Sequence, residues 1–367
     1  MRASKFHNLY SLFFAVVLTV SSPALSATFT VSPSGDLTGI TDYVSIQKAL
    51  DSATAAGAGS TVQLAAGTFY TNDTLHALNF SGSFKGSGKG VTILKNAPGT
   101  KIGLRRPPLE PYPNYLVFYQ DESWNRDVVD NISVSDFTLR LTEKGEPWSS
   151  HVELPLHNLI TAIAVSGRYT SNTEVDDISL VNTTWERLEI IGEPAPSKNI
   201  GVGIMIFDGG NFELTDDNGD GVITIYWRHF QAITGTHEFL DVTFESPAYG
   251  GLTIGPQESS GIKIKRVTVN NASQAMLLQD FSNSHTEISK LETNDAGGIS
   301  IEVGRVAVSG WDFDPVPETM PSPSTYDIHD NTIRFSTNGC IAGVELRDFR
   351  SPRRTCAKSD RSFDFPQ

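Results

Sequence analysis

The chain has 367 residues, 19% of them charged, and its 28 Lys and Arg face 42 Asp and Glu for a formal net charge of −14. That acidity, with no basic run longer than Arg353-Arg354, excludes a protein that tracks a phosphate backbone, so nucleic acid is not an expected partner. The same field repels strongly anionic sugars at long range unless a metal ion or a local Lys/Arg cluster offsets it.

Arg2 and Lys5 precede the apolar run Leu12–Val20, and Ser21–Ala27 supplies small residues for a signal peptidase. The pattern predicts a signal peptide over residues 1–27, cut after Ala27, and a secreted or periplasmic protein. The competing reading, a membrane anchor, requires roughly 20 apolar residues, and this run has nine. No later segment is apolar for long enough to span a bilayer, so residues 28–367 are expected to form one elongated domain, a monomer without a membrane span.

From Asp42 the pattern is helical: Val44, Ile46, Ala49, Leu50 and Ala53 fall on one face, and Gly57-Ala-Gly59 ends the helix. Thr61–Leu64 reads as a strand, Ala65-Ala-Gly67 as a turn, and Thr68–Tyr70 and Val91–Leu94 as further strands. Ser45-Ile-Gln-Lys-Ala-Leu-Asp-Ser-Ala53, then Ser60-Thr-Val-Gln-Leu-Ala-Ala-Gly-Thr-Phe-Tyr70, then Phe84-Lys-Gly-Ser-Gly-Lys-Gly-Val-Thr-Ile93 resemble the opening of the pectin-lyase-like, right-handed parallel β-helix superfamily. The resemblance implies that the helix caps the open end of a solenoid and that the glycine-rich turns begin its first coils. Lyases, hydrolases, epimerases and phage tailspikes share that fold, so it implies little about activity. The family's pectinase-type signatures Gly-His-Gly and Arg-Ile-Lys are missing, as is the epimerase motif Asp-Pro-His-Glu. No catalytic set carries over residue by residue.

The proline-rich segment Arg105–Pro113 cannot be a core strand, because proline removes ladder donors. Strand pairs resume at Asn131–Leu139 with Leu159–Val165, and at Asp177–Leu180 with Gly201–Ile206. Residues 143–157, 192–199, 209–221 and 311–325 are the excursions that could wall a groove. From Glu238 onward one template repeats about every two dozen residues: Phe239–Phe244 with Gly251–Ile254, Ile262–Val267 with Ala275–Leu278, and Glu287–Leu291 with Gly298–Ile301. Such a period with two-residue alternation inside each unit predicts stacked strands. The expected fold is all-β, a single-stranded right-handed parallel β-helix with a short N-terminal capping helix.

Asp216-Asp-Asn-Gly-Asp-Gly-Val-Ile-Thr224 is the sharpest motif. Counting from Asp216, oxygen ligands stand at positions 1, 3 and 5 (Asp216, Asn218, Asp220), glycine at 6 and the carbonyl of Val222 at 7, the first half of an EF-hand-like Ca²⁺ loop. Position 12 is Trp227 rather than Glu, so a bound Ca²⁺ would need ligands from elsewhere; a metal-free Asp/Asn/Gly turn is the alternative.

Aligning the second strands puts Ile206, Ile254, Leu278 and Ile301 in one inward column, with Asp208, Pro256, Asp280 and Val303 two residues on and Gln279 beside Glu302. An acidic strip past Asp208, Asp280 and Glu302 offers acid, base or nucleophile for glycoside hydrolysis, or simply a solvated face. In Ile262–Arg266 the isoleucines point inward, so Lys263 and Lys265 face outward. There they can serve a lyase as cation or base, or stand as ordinary solvated lysines. His237, His285 and His329 and Asn182, Asn271 and Asn331 read as turn residues with local hydrogen bonds. Cys340 and Cys356 are the only cysteines, and in an exported protein they form a disulfide or remain two free thiols. The fold resemblance, with export and the loop insertions, implies a polysaccharide-active protein, a polysaccharide lyase or glycoside hydrolase; the missing signatures favour the alternative, a non-catalytic carbohydrate-binding or surface protein.

Overall fold

Short runs of alternating apolar and polar residues make strands that bury one row of side chains only if neighbouring strands extend the same row. The computed structural model describes residues 26–98, 114–119, 130–141, 161–166, 181–192, 202–207, 211–215, 224–228, 233–247, 250–272, 274–282, 284–296, 299–303 and 324–335. These residues are mostly β, with one helix among them and all strand pairs parallel but one.

The parallel pairings run in three ladders. The first stacks Thr28–Val31, Ser60–Leu64, Gly82–Lys85, the first halves of Asp130–Arg140 and Val181–Ile191, Ile233–Leu240, the end of Gly250–Lys265, His285–Ser289 and Thr325–His329. The second stacks Gly67–Thr71, Thr92–Asn96, the second halves of Asp130–Arg140 and Val181–Ile191, Thr243–Glu245, Thr268–Asn270, Glu292–Ala296 and Thr332–Phe335. The third stacks Leu75–Leu78, Asn114–Tyr119, Thr161–Ser166, Val202–Phe207, the start of Gly250–Lys265, Gln274–Ser282 and Ile299–Val303.

Each ladder contributes an inward column to one continuous core. In the first, Val62, Phe84, Val134, Trp185, Phe239, Ile264 and Ile288 are register partners and buried, and the Trp185 and Phe239 rings stack 6.1 Å apart. The third ladder supplies Phe118, Val165, Ile206, Ile254 and Leu278. Between them, Phe244 of the second ladder lies against the backbones of Gly203 and Gly251 in the third, where a Cβ would come within 2.3 and 2.9 Å of its ring.

A stack of strands ends in unpaired edges, and this chain covers one end with a strand and a helix. Thr28–Val31 pairs along the first ladder, and the helix Ile40–Ala56 covers the rest. Asp42, fully buried, accepts hydrogen bonds from Ser34 N (2.8 Å) and Tyr70 N (2.9 Å). Gln47 imitates a strand, its Nε2 donating to the His76 carbonyl (2.7 Å) and its Oε1 accepting from His76 N (2.9 Å). The helix is longer than its sequence pattern predicts, and its buried face is Asp42, Ile46, Ala49, Leu50 and Ala53. Val44 is instead exposed, because two residues before Ile46 is the opposite side of a 3.6-residue turn.

The first and second ladders are joined by turns whose first residue is left-handed: Asp136, Arg187, Asp241, Arg266, Lys290 and Asp330 have φ between 51° and 63°. Each is followed by a buried side chain, from Phe137 and Leu188 to Leu291 and Asn331. Ordinary residues take up a conformation costing about 1–2 kcal/mol here, because the corner must turn in one step and the stack repeats it.

Candidate functional site

The outer face of the first ladder carries chemistry in columns set by the register. One column reads Ser133, Thr184, Glu238, Lys263, Glu287 and Asp327; beside it run Ser135, Glu186, Leu240, Lys265, Ser289 and His329. Lys263 therefore stands between two carboxylates, Glu238 and Glu287, and Glu287 is the register partner of Asp327. Adjacent strands lie about 4.8 Å apart, which puts Glu287 and Asp327 one step apart and Glu238 and Glu287 two steps, about 9.6 Å. His285 Nδ1 is hydrogen-bonded to Thr325 Oγ1 at 2.7 Å, at the start of the same two strands. Alternation explains the exposure: Ile262 and Ile264 are buried while Lys263 and Lys265 are half-buried at the surface.

Along one border of this face run the left-handed corner residues, with charges that alternate from Asp136 to Arg187 to Asp241 to Arg266. Arg187 holds Asp136 with two bonds, the longer 2.9 Å, and also pairs with Glu186. Arg266 holds Asp241 in the same way, the longer bond 2.7 Å. The guanidinium hydrogen bonds keep both Asp carboxyls below the ordinary carboxylate range. Carboxylates so held are poor proton donors, and both oxygens of each are already engaged by a guanidinium. Over this border folds the glycine-rich turn 86–90: Gly90 N donates to Thr138 Oγ1 and Lys89 Nζ to Thr243 Oγ1, both at 2.9 Å.

Of the residues singled out from the sequence, Lys263 and Lys265 lie on this face. Asp280 and Glu302 lie in strands of the third ladder, where Asp280 is opposite Val303 and Glu302 opposite Gln279. Those two carboxylates are thus not register partners. Asp280 is also opposite Gln257, six residues before Lys263, about 20 Å of extended strand away. The expected neighbour of Asp280 was Pro256; a register shift between Ile254 and Gln257 replaces it with Gln257. Asp208, the loop residues Asp216, Asn218, Asp220 and Val222, and Cys340 and Cys356 lie outside the described residues.

The loop's flanks are described. Asn211–Thr215 and Thr224–Arg228 form an antiparallel hairpin with Thr215 opposite Thr224. Ile225 consequently belongs to the hairpin, and the chain rejoins the first ladder only at Ile233–Leu240. Among the described residues no three His, Cys, Asp or Glu side chains are grouped to hold a metal ion, and no helix among them is long and apolar enough to cross a membrane.

Glu238, Glu287 and Asp327 were not singled out from the sequence. The signal was present, since aligning the first strands on Phe239, Ile264 and Ile288 puts Glu238, Lys263 and Glu287 in one column.

No family model and no curated protein matches the chain. Among solved structures, Geobacillus virus E2 ORF18 is 14% identical with a TM-score of 0.26, covering 81% of this chain and 61% of its own. The Azotobacter vinelandii mannuronan C-5 epimerase AlgE6 A-module is 12% identical, with coverages of 80% and 95% and a TM-score of 0.18. The catalytic domain of a GH87 alpha-1,3-glucanase in complex with nigerose is 12% identical, with coverages of 81% and 69% and a TM-score of 0.17. The chain spans about three fifths of the length of the virus protein. Likenesses this low carry no argument about fold or activity.

Proposed function

We propose that the chain is a right-handed parallel β-helix of the pectin-lyase-like kind, acting as a polysaccharide-cleaving enzyme on the outer face of its first ladder. The handedness rests on the near-universal right-handed crossover between parallel strands, and the stacked register of the three ladders supports the coil. One observation carries the activity: Glu287 and Asp327 are register partners on the outer face of the first ladder, with Lys263 next in the column. A retaining glycosidase needs carboxyl groups about 5–5.5 Å apart, and a single strand step sets the two backbones about 4.8 Å apart, within reach of that spacing. One carboxylate attacks the anomeric carbon as the other protonates the departing glycosidic oxygen, and water then releases the sugar. Lys263 and Lys265 offset the negative field that would repel an acidic glycan.

A lyase is the second reading, favoured by the same lysines, which can neutralise a uronate carboxylate and take the α-proton. In this account residues 1–27 are removed as a signal peptide. A cut after Ala27 leaves intact the strand beginning at Thr28. The exported monomer then closes Cys340 to Cys356, and its hairpin loop holds Ca²⁺ through Asp216, Asn218, Asp220 and the Val222 carbonyl. Incubating purified protein with a polysaccharide panel tests the activity. New reducing ends without ultraviolet absorbance mark a hydrolase, an absorbing unsaturated uronide marks a lyase, and retention on the glycan with no product marks a binder and refutes cleavage.

A further inference from the structure

Directly beneath the Glu238–Lys263 column, on the core side of the same strands, the inward positions read Ile132, Thr183, His237, Ile262 and Thr286. His237 is completely buried among them. Trp185 Nε1, which can only donate, gives its proton to Thr183 Oγ1 at 2.9 Å. Thr183 Oγ1 is also 2.9 Å from His237 Nδ1. The assignment that leaves no proton stranded on Thr183 has the hydroxyl donating to Nδ1, so the imidazole proton sits on Nε2, which has no partner.

We propose that His237 is an acid-sensitive latch in the scaffold: it closes as a neutral imidazole, and acidification opens the first ladder at Thr183, His237 and Ile262, beneath the candidate site. A second proton would place a cation in a buried column of Ile and Thr side chains, where the described residues bring no carboxylate to receive it. Among the described side chains, the charged groups on its own strand and the two packed against it are Glu186, Arg187, Glu189, Glu238, Lys263 and Lys265, all at outward positions. Burial alone acts on the imidazole and pushes it down to about 4. The folded value lies below the unfolded one, so the stability is complete above about pH 6.5. It is lost as pH falls toward about 4.

Hydrogen exchange of the Thr183, His237 and Ile262 amides tests the latch, with intrinsic rates divided out. Protection should fall about tenfold per pH unit below about pH 6.5, roughly 300-fold in all. His237→Leu should remove that component while leaving the part owed to surface carboxylates. Nitrogen-15 histidine spectra of the wild type provide an independent readout that does not depend on the variant folding. They should show the Nε2–H tautomer at neutral pH and no titration of His237 until well below its ordinary range. Titration of His237 near 6.5 in the folded protein, or an unchanged pH profile in His237→Leu, overturns the proposal.

Discussion

Gly203→Ala tests the packing of the second ladder onto the third. A Cβ at 203 would lie 2.3 Å from Phe244 Cδ1, 2.5 Å from Cε1 and 2.7 Å from the Gly251 carbonyl oxygen. Ring motion alone cannot relieve this, because the third contact is backbone. Overpacking of this kind costs about 1–3 kcal/mol. At Gly251 the approaches are 2.9 Å to Phe244 Cδ2 and 3.1 Å to the Ala275 carbonyl oxygen, so Gly251→Ala should cost less. Phe244→Ala alone removes a fully buried ring and should cost about 3–5 kcal/mol. In the double variant the new methyl enters the space the ring vacated, so the combined loss should fall short of additivity by about 1–2 kcal/mol. Urea denaturation followed by tryptophan fluorescence and by circular dichroism measures each value, and coincidence of the two probes guards against a populated intermediate. A Gly203→Ala effect within about 0.5 kcal/mol, or strict additivity, would refute the packing.

Asp42→Ala should cost about 1–3 kcal/mol, because it leaves two part-buried backbone donors, Ser34 N and Tyr70 N, without their acceptor; fast exchange of the Tyr70 amide is the local readout, and unchanged protection there contradicts the capping role. Arg266→Ala should leave stability almost unchanged, since its pair with Asp241 is exposed to solvent. Asp241 ionises below its ordinary value, so the small stabilisation it gives is present above about pH 4 and fades in more acid solution; chemical denaturation of wild type and variant at neutral and acid pH checks both. Calcium should raise the melting temperature of the wild type, by about 2.7 kcal/mol of added stability at a hundredfold excess over Kd, and should raise that of Asp220→Ala far less. Equal shifts in both proteins would reduce the loop to a turn.

The parallel β character and the helix at the N-terminal end were legible because both rest on local periods. Alternation put Ile262 and Ile264 in the core and Lys263 and Lys265 outside, as the burial has it. The column through Ile206, Ile254, Leu278 and Ile301 was legible for the same reason. Register across an irregular corner was not: the shift after Ile254 depends on how the chain bends between two ladders. The hairpin around the Asp216 loop was missed because its pairing is antiparallel and departs from the repeat. His237 read as a turn residue, and only the stacking of Thr183, His237 and Ile262 reveals a core imidazole. Asn182 and Asn331 do bond to backbone as their type suggests, accepting from Thr236 N and Leu291 N, whereas Asn271 donates to Glu245.

The most direct test of the central claim is turnover by Glu287→Gln and Asp327→Asn on whichever polysaccharide the wild type cleaves. Both side chains sit at the surface of a stacked sheet, so melting temperatures should stay near that of the wild type. Losing an acid–base or nucleophilic carboxylate should lower kcat by at least about 100-fold in each. Wild-type turnover in either folded variant would contradict the assignment of the reaction to this face.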